Sequence, residues 1–596
     1  MAQEEDRLSA FPDVSPAGGT PALQVSGRWR GACLFLVSIV LLLQCWKAPF
    51  LTFDDALHVT GNRQVTGELT LARIFLPQSA STYFPVTVLS YRLDRALFSG
   101  WMPQVLGSWA PGVRLHTWLY HAAATLLVWQ VLLALGVGSG RALFAAFVFA
   151  LHPTACETVC WVSERKNALA GFFGLASIWC SLRFAGSGRL GLGDAAQPGA
   201  GRWRPAVLLF APLALMSAFV VWANIVGHEK TLVPPPGGSV FTALLTDVEI
   251  LSRYLLNLAA PVRLSFVYYV EPIVSLADAR LWAYGCALAL VVAASLVLAE
   301  NKPRAVLGWG WFLLALSPHL NVIAILQIMQ DRYLYLALPG FLLVVAEVVA
   351  GLQARLRSRG APALQVAAIA YILFLGGLAS YRGAVFVNAY RLFSDAVEKQ
   401  PPAAHARFGL SLAYAQIRML LSRNPGADPR TLEEFRRRQG EQLRAFVDKC
   451  PDRFRQPNFS DMALDAGNCC RDDNDLGEAE RYYHISAAGA PGIQTHPHTL
   501  SEALSNLADL KLRADQAEEA YALACDAVKA APHVLDSRVM RARAAMALAR
   551  KKLQDMRVDE CARLWEQARA DLEMVPADHQ LYRQAQELLK QASPKR

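Results

Sequence analysis

The sequence predicts an all-α protein in two unlike parts, a polytopic helical membrane domain of about nine spans and a soluble α-helical solenoid behind it. Three observations carry this. Apolar runs alternate with short polar joints as far as Ser380, and a run of about 20 apolar residues is what a helix needs to cross a bilayer. Arginine and lysine collect in every second joint. After Tyr381 the long apolar runs stop, and charged helical sequence punctuated by proline takes over.

Composition agrees. Of 596 residues, 54% are hydrophobic and 18% charged, a balance that leans towards a membrane protein. The mean hydropathy of +0.25 is mild because it averages the two parts. The net charge of +9 does not indicate nucleic-acid binding, since much of the excess sits in loops where it sets topology. None of the eleven cysteines forms a zinc-type CxxC pair, and Cys33, Cys45, Cys180 and Cys286 lie inside apolar runs as small hydrophobes. Five more lie in the tail, an odd number that cannot all pair within one chain.

Taken in order, residues 1–27 contain Pro, Gly, Ser and Glu and are expected to form a disordered cytoplasmic segment. Arg28 and Arg30 lead into an uncharged run, so 31–48 is read as a retained signal-anchor that breaks at Lys47-Ala48-Pro49. An external loop, 49–114, follows. Further spans are expected over 115–135, 141–153, 167–184, 206–226, 279–298, 304–324, 333–352 and 363–380. With the amino terminus inside, the inner joints carry Arg141, then Arg183, Arg189, Arg202 and Arg204, then Lys302 and Arg304, then Arg355, Arg357 and Arg359. That is the distribution the positive-inside rule demands. Segment 240–262 is apolar but holds Asp247, Glu249 and Arg253, and counting it as a span would put Arg355, Arg357 and Arg359 outside. It is therefore read as an amphipathic helix on the outer face. The membrane domain thus runs over 28–382, with the tail, 383–596, on the external side.

The tail reads as helix, turn, helix, proline. Leu500, Leu504, Leu507 and Leu510 make one helical face, and Ala517, Ala520, Tyr521, Ala524, Ala527 and Ala531 make the next, stopped by Pro532. Similar endings fall at Pro401, Pro451, Pro491 and Pro576. A strict tetratricopeptide array repeats every 34 residues or so, and these units are longer.

Three constellations share the expected outer face. Phe53-Asp54-Asp55 puts two carboxylates at membrane-surface depth, where charge is costly unless solvated or used. The stretch from His152 and Pro153 through Glu157, Trp161, Ser163, Glu164, Arg165 and Lys166 to Asn167 gathers a histidine, two acids and two cations. Arg165 and Lys166 offer bidentate and point-charge contacts to a lipid phosphate, or snorkel to water. Asp331-Arg332-Tyr333 enters the eighth span, where Arg332 is the best candidate for a phosphate clamp and Tyr333 fits an aromatic belt equally well. Tyr268, Tyr269 and Glu271 follow the surface helix, either stacking on a sugar or anchoring at the head groups. No P-loop, nucleophile elbow, HExxH or dinucleotide fingerprint is present, so the sequence offers no cytoplasmic site for ATP or a nucleotide sugar. The spans are nearly free of charge, which disfavours a transporter.

Together, Phe53-Asp54-Asp55, the run His152 to Asn167, Asp331-Arg332-Tyr333-Leu334-Tyr335 and the helical-repeat tail resemble the multispan GT-C glycosyltransferases that carry tetratricopeptide repeats. That group includes bacterial membrane proteins and the eukaryotic transmembrane-and-TPR O-mannosyltransferases. The resemblance implies a polyprenyl-phosphate-linked sugar as donor and a protein hydroxyl as acceptor, held by the tail. It also implies Asp54 or Asp55 as catalytic base, and Arg332, with His152 or Arg165, stabilising the departing phosphate. Whether a divalent metal assists stays open, and no metal ligands are assigned. The composition favours a bacterial inner membrane with a periplasmic active face over an endoplasmic reticulum with a lumenal one. The chain departs from the group after Phe184, where relatives carry a further apolar stretch with an embedded cation and proline. A catalytically degenerate membrane-anchored scaffold is the alternative that this departure raises.

Overall fold

In the computed structural model the described residues are 21–51, 54–75, 83–186, 233–321, 326–491 and 494–592. Every regular element among them is helical. The expected span 206–226, with Arg189, Arg202 and Arg204, lies outside the described residues, as do Phe53 and residues 1–20.

The first part contains α1 (Pro21–Val37), α2 (Pro85–Phe98), α3 (Ala110–Ala134), α4 (Ser139–Leu151), α5 (Ala155–Cys160), α6 (Arg165–Gly186), α7 (Val240–Ala259), α8 (Ala279–Leu298) and α9 (Lys302–Leu316). A helical stretch over Leu338–Val385 follows, with Pro362 inside it. A straight helix of that length would measure about 70 Å. Yet Arg382 near its end lies 4.0 Å from Asp331 ahead of its start, so the stretch doubles back as α10 (Leu338–Leu356) and α11 (Pro362–Val385). These match the two expected spans 333–352 and 363–380.

Among the described residues four helices, α3, α8, α10 and α11, are long and apolar enough to cross a membrane. Only 6% of the apolar window of α8 and 11% of that of α11 is buried inside the protein. So much outward apolar surface needs lipid rather than water. The other expected spans are less regular. The signal-anchor region is α1 followed by a 3-10 turn over Ser38–Leu41, not one helix over 31–48. Helix α4 has 13 residues, and α9 ends at Leu316 because Ser317-Pro318 stops it. Glycines let α9 and α10 approach closely, since a Cβ at Gly308 would sit 2.7 Å from the Gly340 carbonyl oxygen.

The basic joints meet at one end of the bundle. Arg30 donates to Ser139 (3.1 Å), Arg141 pairs with Glu300 (2.9 Å), Arg304 with Glu347 (3.4 Å), and Arg355 donates to the Val297 carbonyl (2.7 Å). The acidic constellations lie at the other end. Helix α7 starts with a capping box between Ser239 and Thr242, and the charges that argued against its spanning are all partnered. Asp247 accepts from the Asn321 amide (3.1 Å) and Nδ2 (2.8 Å), while Glu249 pairs with Arg253 at 2.5 Å. Tyr254 accepts from the Gln330 amide at 3.0 Å, so α7 fixes the chain immediately before Asp331.

The tail begins with α12 (Ala389–Lys399), which shares the main hydrophobic core with the membrane helices through Leu392, Phe393 and Ala396. Four hairpins follow: α13 (Ala404–Ser422) with α14 (Pro429–Lys449), α15 (Phe459–Asp472) with α16 (Leu476–Ala488), α17 (Pro497–Arg513) with α18 (Ala517–Ala530), and α19 (Leu535–Gln554) with α20 (Val558–Glu573). Helix α21 (Tyr582–Ala592) closes the stack. The last three hairpins turn through Asn474, Asp515 and Met556, all near φ +60° and 41 residues apart. Each turn is closed by the same 2.9 Å bond, from Asp475, Gln516 and Arg557 back to the carbonyls of Cys470, Lys511 and Lys552. The repeat is therefore regular at 41 residues, longer than the tetratricopeptide period, a regularity that proline spacing obscured.

Candidate functional site

The site begins with Arg114 in the first turns of α3. It is fully buried and donates to the carbonyls of Cys160 (2.9 Å), Pro49 (2.9 Å) and Ala48. These bonds pin the chain leaving the first apolar segment against the end of α5. Asp54 and Asp55 follow a few residues later, and their surroundings differ.

Asp55 is buried and fully used. Its carboxylate accepts from the Leu51 amide (2.8 Å), the Ser163 amide (3.1 Å) and the Ser163 hydroxyl (2.6 Å). Burial raises its pKa, while the Ser163 hydrogen bond and the Arg114 charge oppose the rise. Asp54 is partly exposed and makes no hydrogen bond to a described residue. Burial pushes it up to about 6, against the pull of Arg332 and Lys166. The protein environment thus makes Asp54 more basic than an ordinary carboxylate.

Glu157, on α5, and Glu164, in the turn before α6, hold the cations. Arg332 Nη1 lies 2.5 Å from Glu157 Oε1, and its Nε lies 3.6 Å from Glu164 Oε1. The guanidinium also covers the rings of Trp161 (5.5 Å) and Tyr333 (5.2 Å), and its side chain is 14% exposed. Lys166 Nζ sits 2.7 Å from Glu164 Oε1, and Asn167 donates to the other oxygen at 2.9 Å. Burial raises the pKa of Glu157. Burial also acts on Glu164, but Lys166 and Arg332 together outweigh it and hold that acid below its ordinary value. His319, which the sequence reading did not select, stacks on Tyr333 with centroids 4.0 Å apart and rings 4° from parallel.

Asp331 turns away from this cluster. It accepts from Tyr268 (2.8 Å) and Asn257 (3.3 Å) and lies 4.0 Å from Arg382, which itself pairs with Asp395 of α12 at 3.0 Å. Burial pushes Asp331 up to about 7 despite Arg382. Tyr268 is buried here, with its hydroxyl committed to Asp331.

Two candidates stand apart. His152 is fully buried, its Nδ1 within 2.7 Å of the Thr154 hydroxyl and its Nε2 within 3.1 Å of the Leu258 carbonyl oxygen. Arg165 is also fully buried. It pairs with Asp94 (2.5 Å), donates to Thr117 (3.0 Å), Ser90 (3.3 Å) and the Val113 carbonyl, and lies over Tyr91 at 4.9 Å. Both ring nitrogens of His152 and the guanidinium of Arg165 are consumed, which leaves neither open to a phosphate.

The residues brought together are therefore Asp54, Asp55, Glu157, Glu164, Lys166 and Arg332, with Trp161, Tyr333 and His319 as the aromatic wall. A small, partly open pocket beside Lys166, lined by His58, Asn62, Phe84, Tyr91 and Ser163, has room for little more than one water at 20 Å³. Among the described residues no group of three His, Cys, Asp or Glu side chains is arranged to hold a metal ion.

Arg114, Asp94 and Arg382 were missed because each reads in sequence as an ordinary loop or span-end charge. His319 has no local signal, since its place comes from stacking on Tyr333 across the turn before α10.

No family model matches the chain. One curated protein is similar over part of its length: human "Protein O-mannosyl-transferase TMTC4", 27% identical over 172 residues. The match covers 25% of this chain and 22% of the human protein.

Proposed function

We propose that the chain is a membrane glycosyltransferase that moves a sugar from a polyprenyl phosphate to a hydroxyl of a protein acceptor, with Asp54 as the general base. The observation that carries this is the contrast between the two adjacent acids. Asp55 is consumed by three hydrogen bonds and serves as a brace. Asp54 makes no hydrogen bond to a described residue, is partly exposed, and lies where the charges of Arg332 and Lys166 act on it. The partial similarity to a human protein named as an O-mannosyltransferase supports the same class.

In this reading Asp54 takes the proton of the acceptor hydroxyl as its oxygen attacks the anomeric carbon. The bond from that carbon to the phosphate oxygen breaks on the opposite face, and the configuration inverts. Arg332, oriented by Glu157 and stacked on Trp161, and Lys166 stabilise the charge of the departing lipid phosphate. With a pKa of about 6, Asp54 is ionised in about nine molecules of ten at pH 7, yet it binds a proton more strongly than an ordinary carboxylate, which favours general-base catalysis. The basic end of the bundle faces the cytoplasm, the acidic end faces the periplasm or the lumen, and the tail holds the acceptor on that side. The membrane domain is residues 28–382 and the tail 383–596.

A second reading has its own observations. Arg332 and Lys166 are already paired with Glu157 and Glu164, and the pocket beside Lys166 is small. Those facts favour a membrane-anchored scaffold that has lost transfer activity.

A transfer assay separates the two. Membranes containing the protein are given radiolabelled polyprenyl-phosphate mannose, glucose or N-acetylglucosamine, and label reaching protein is counted. Label transferred by the wild type and lost in Asp54→Asn at equal expression supports the enzyme. Equal background with every donor supports the scaffold.

A further inference from the structure

Helices α12 and α13 are antiparallel and joined by four residues, 400–403. Their register is fixed at two points. Gly409 lies against Phe393, where a Cβ would come within 2.0 Å of the ring, and Tyr414 meets Tyr390 with centroids 5.7 Å apart. Tyr390 is in the first turn of α12, just beyond the end of the last span at Val385. Helix α13 therefore outruns its partner. Residues 415–422 continue past the start of α12, a distance of about 12 Å at 1.5 Å per residue.

The direction of that overhang is set by α12. From Ala389, α12 crosses back over the acidic end of the bundle, with Asp395 on Arg382 (3.0 Å) and Lys399 on the Leu264 carbonyl (2.9 Å). The free end of α13 runs the other way, out past the point where α11 emerges. Helix α11, the span that leads into α12, has only 11% of its apolar window buried.

The sequence of the overhang fits that position. The stripe of α13 that packs on α12 is Leu410, Ala413 and Tyr414. At helical spacing it continues as Ile417, Leu420 and Leu421, where α12 has ended. Leu420 is 55% exposed. Arg423 and Arg430, both exposed, follow at the tip of the α13–α14 hairpin. Tyr381 and Tyr390, exposed at the end of α11 and the start of α12, supply the aromatic residues typical of a membrane–water boundary.

We propose that the tip of the α13–α14 hairpin is a membrane-resting foot, with Ile417, Leu420 and Leu421 seated in the head-group region of the bilayer that the spans cross. The foot fixes the height and tilt of the solenoid over the acidic cluster. An apolar helical face of this kind sinks about 5–10 Å into the boundary between head groups and acyl chains. The inference does not depend on the chain being an enzyme.

The test is lipid contact in the full-length protein, reconstituted in phosphatidylcholine vesicles. An environment-sensitive fluorophore is introduced as a noncanonical amino acid at position 420. Parallel preparations carry it at Leu290, on the lipid-exposed face of α8, and at Leu553, exposed far along the tail. Quenching by phosphatidylcholine brominated near the head group is compared with quenching by aqueous iodide. A foot gives lipid quenching at 420 several-fold above that at 553, with iodide quenching reduced. Iodide quenching at 420 equal to that at 553, with strong lipid quenching at 290, overturns the proposal while leaving the spans intact. Protection of position 420 from both quenchers also overturns it, because another protein chain then covers the stripe.

Discussion

Replacing Asp54 and Asp55 one at a time should separate chemistry from architecture. Asp55→Ala removes an acceptor that serves two backbone amides and one hydroxyl, all inside the protein. Hydrogen bonds to a charged group contribute about 1.5–3 kcal/mol each, and a buried donor left without a partner costs about 1–3 kcal/mol. The removed carboxylate also recovers the cost of its own burial, so the net loss is set at about 2–5 kcal/mol, a large share of the 5–15 kcal/mol that usually holds a domain together. Asp54→Asn removes no hydrogen bond to a described residue and relieves a carboxylate whose pKa burial has raised, so it should leave stability unchanged or slightly improved.

Activity should behave in the opposite way. Loss of a positioned general base typically costs 10²–10⁴-fold, so Asp54→Asn should lower transfer by about that factor. The assay pairs thermal unfolding of detergent-solubilised protein with transfer of radiolabelled sugar in membranes, both normalised to the amount of protein inserted. Asp55→Ala should show a lowered melting temperature and an activity loss no larger than its loss of folded protein. An Asp54→Asn protein with normal activity would refute the reasoning, and so would one that unfolds as readily as Asp55→Ala.

The remaining predictions concern charge and backbone. Because Asp54 titrates near 6 and acts as its ionised form, transfer should rise with pH through about 6 and level off above it, a step seen in a pH–rate profile. Arg332→Ala strips the buried Glu157 of its cation and should cost about 3–5 kcal/mol, measured by unfolding, and Glu157→Gln in the same chain should recover part of it. Asp331 has a folded pKa of about 7, above its unfolded value, so the proton favours the folded state. Wild-type stability relative to Asp331→Asn should therefore be greatest below about pH 4, fall as pH rises to 7, and stay level beyond it, as read from melting temperatures across that range. Met556, 84% exposed at φ 62°, occupies a left-handed position that costs a residue with a Cβ roughly 1–2 kcal/mol. Met556→Gly should thus raise the melting temperature of the tail, followed by circular dichroism.

The parts legible in the sequence were those governed by local patterns. Apolar length identified α3, α8, α10 and α11, and Pro532 marked the end of the α17–α18 hairpin. The alternation of basic joints anticipated that Arg141, Arg304 and Arg355 meet at one end, because each joint's side follows from counting crossings. Within α7, the partners Asn321 and Arg253 show why Asp247 and Glu249 are tolerated in an apolar segment. The 41-residue period was hidden because its marker is backbone conformation, and Asn474, Asp515 and Met556 share no residue type.

Division of labour inside the site was not legible, for a different reason. Asp54 and Asp55 are identical in sequence terms, and so are Arg165 and Lys166 as adjacent cations. What separates them is a partner contributed from far along the chain. Ser163 stands 108 positions from Asp55, and Asp94 stands 71 from Arg165. A pair of adjacent residues in the helical turn after Leu51 points in two directions about 100° apart, so one acid can face inward to Ser163 while its neighbour faces Arg332 and Lys166. Of each pair, Asp55 and Arg165 are held inside the protein by several partners, whereas Asp54 makes no hydrogen bond to a described residue and Lys166 meets Glu164 at a half-exposed position. A search for functional residues that scores each side chain by type and depth alone will rank Asp55 and Arg165, the more deeply buried of each pair, above their less committed neighbours.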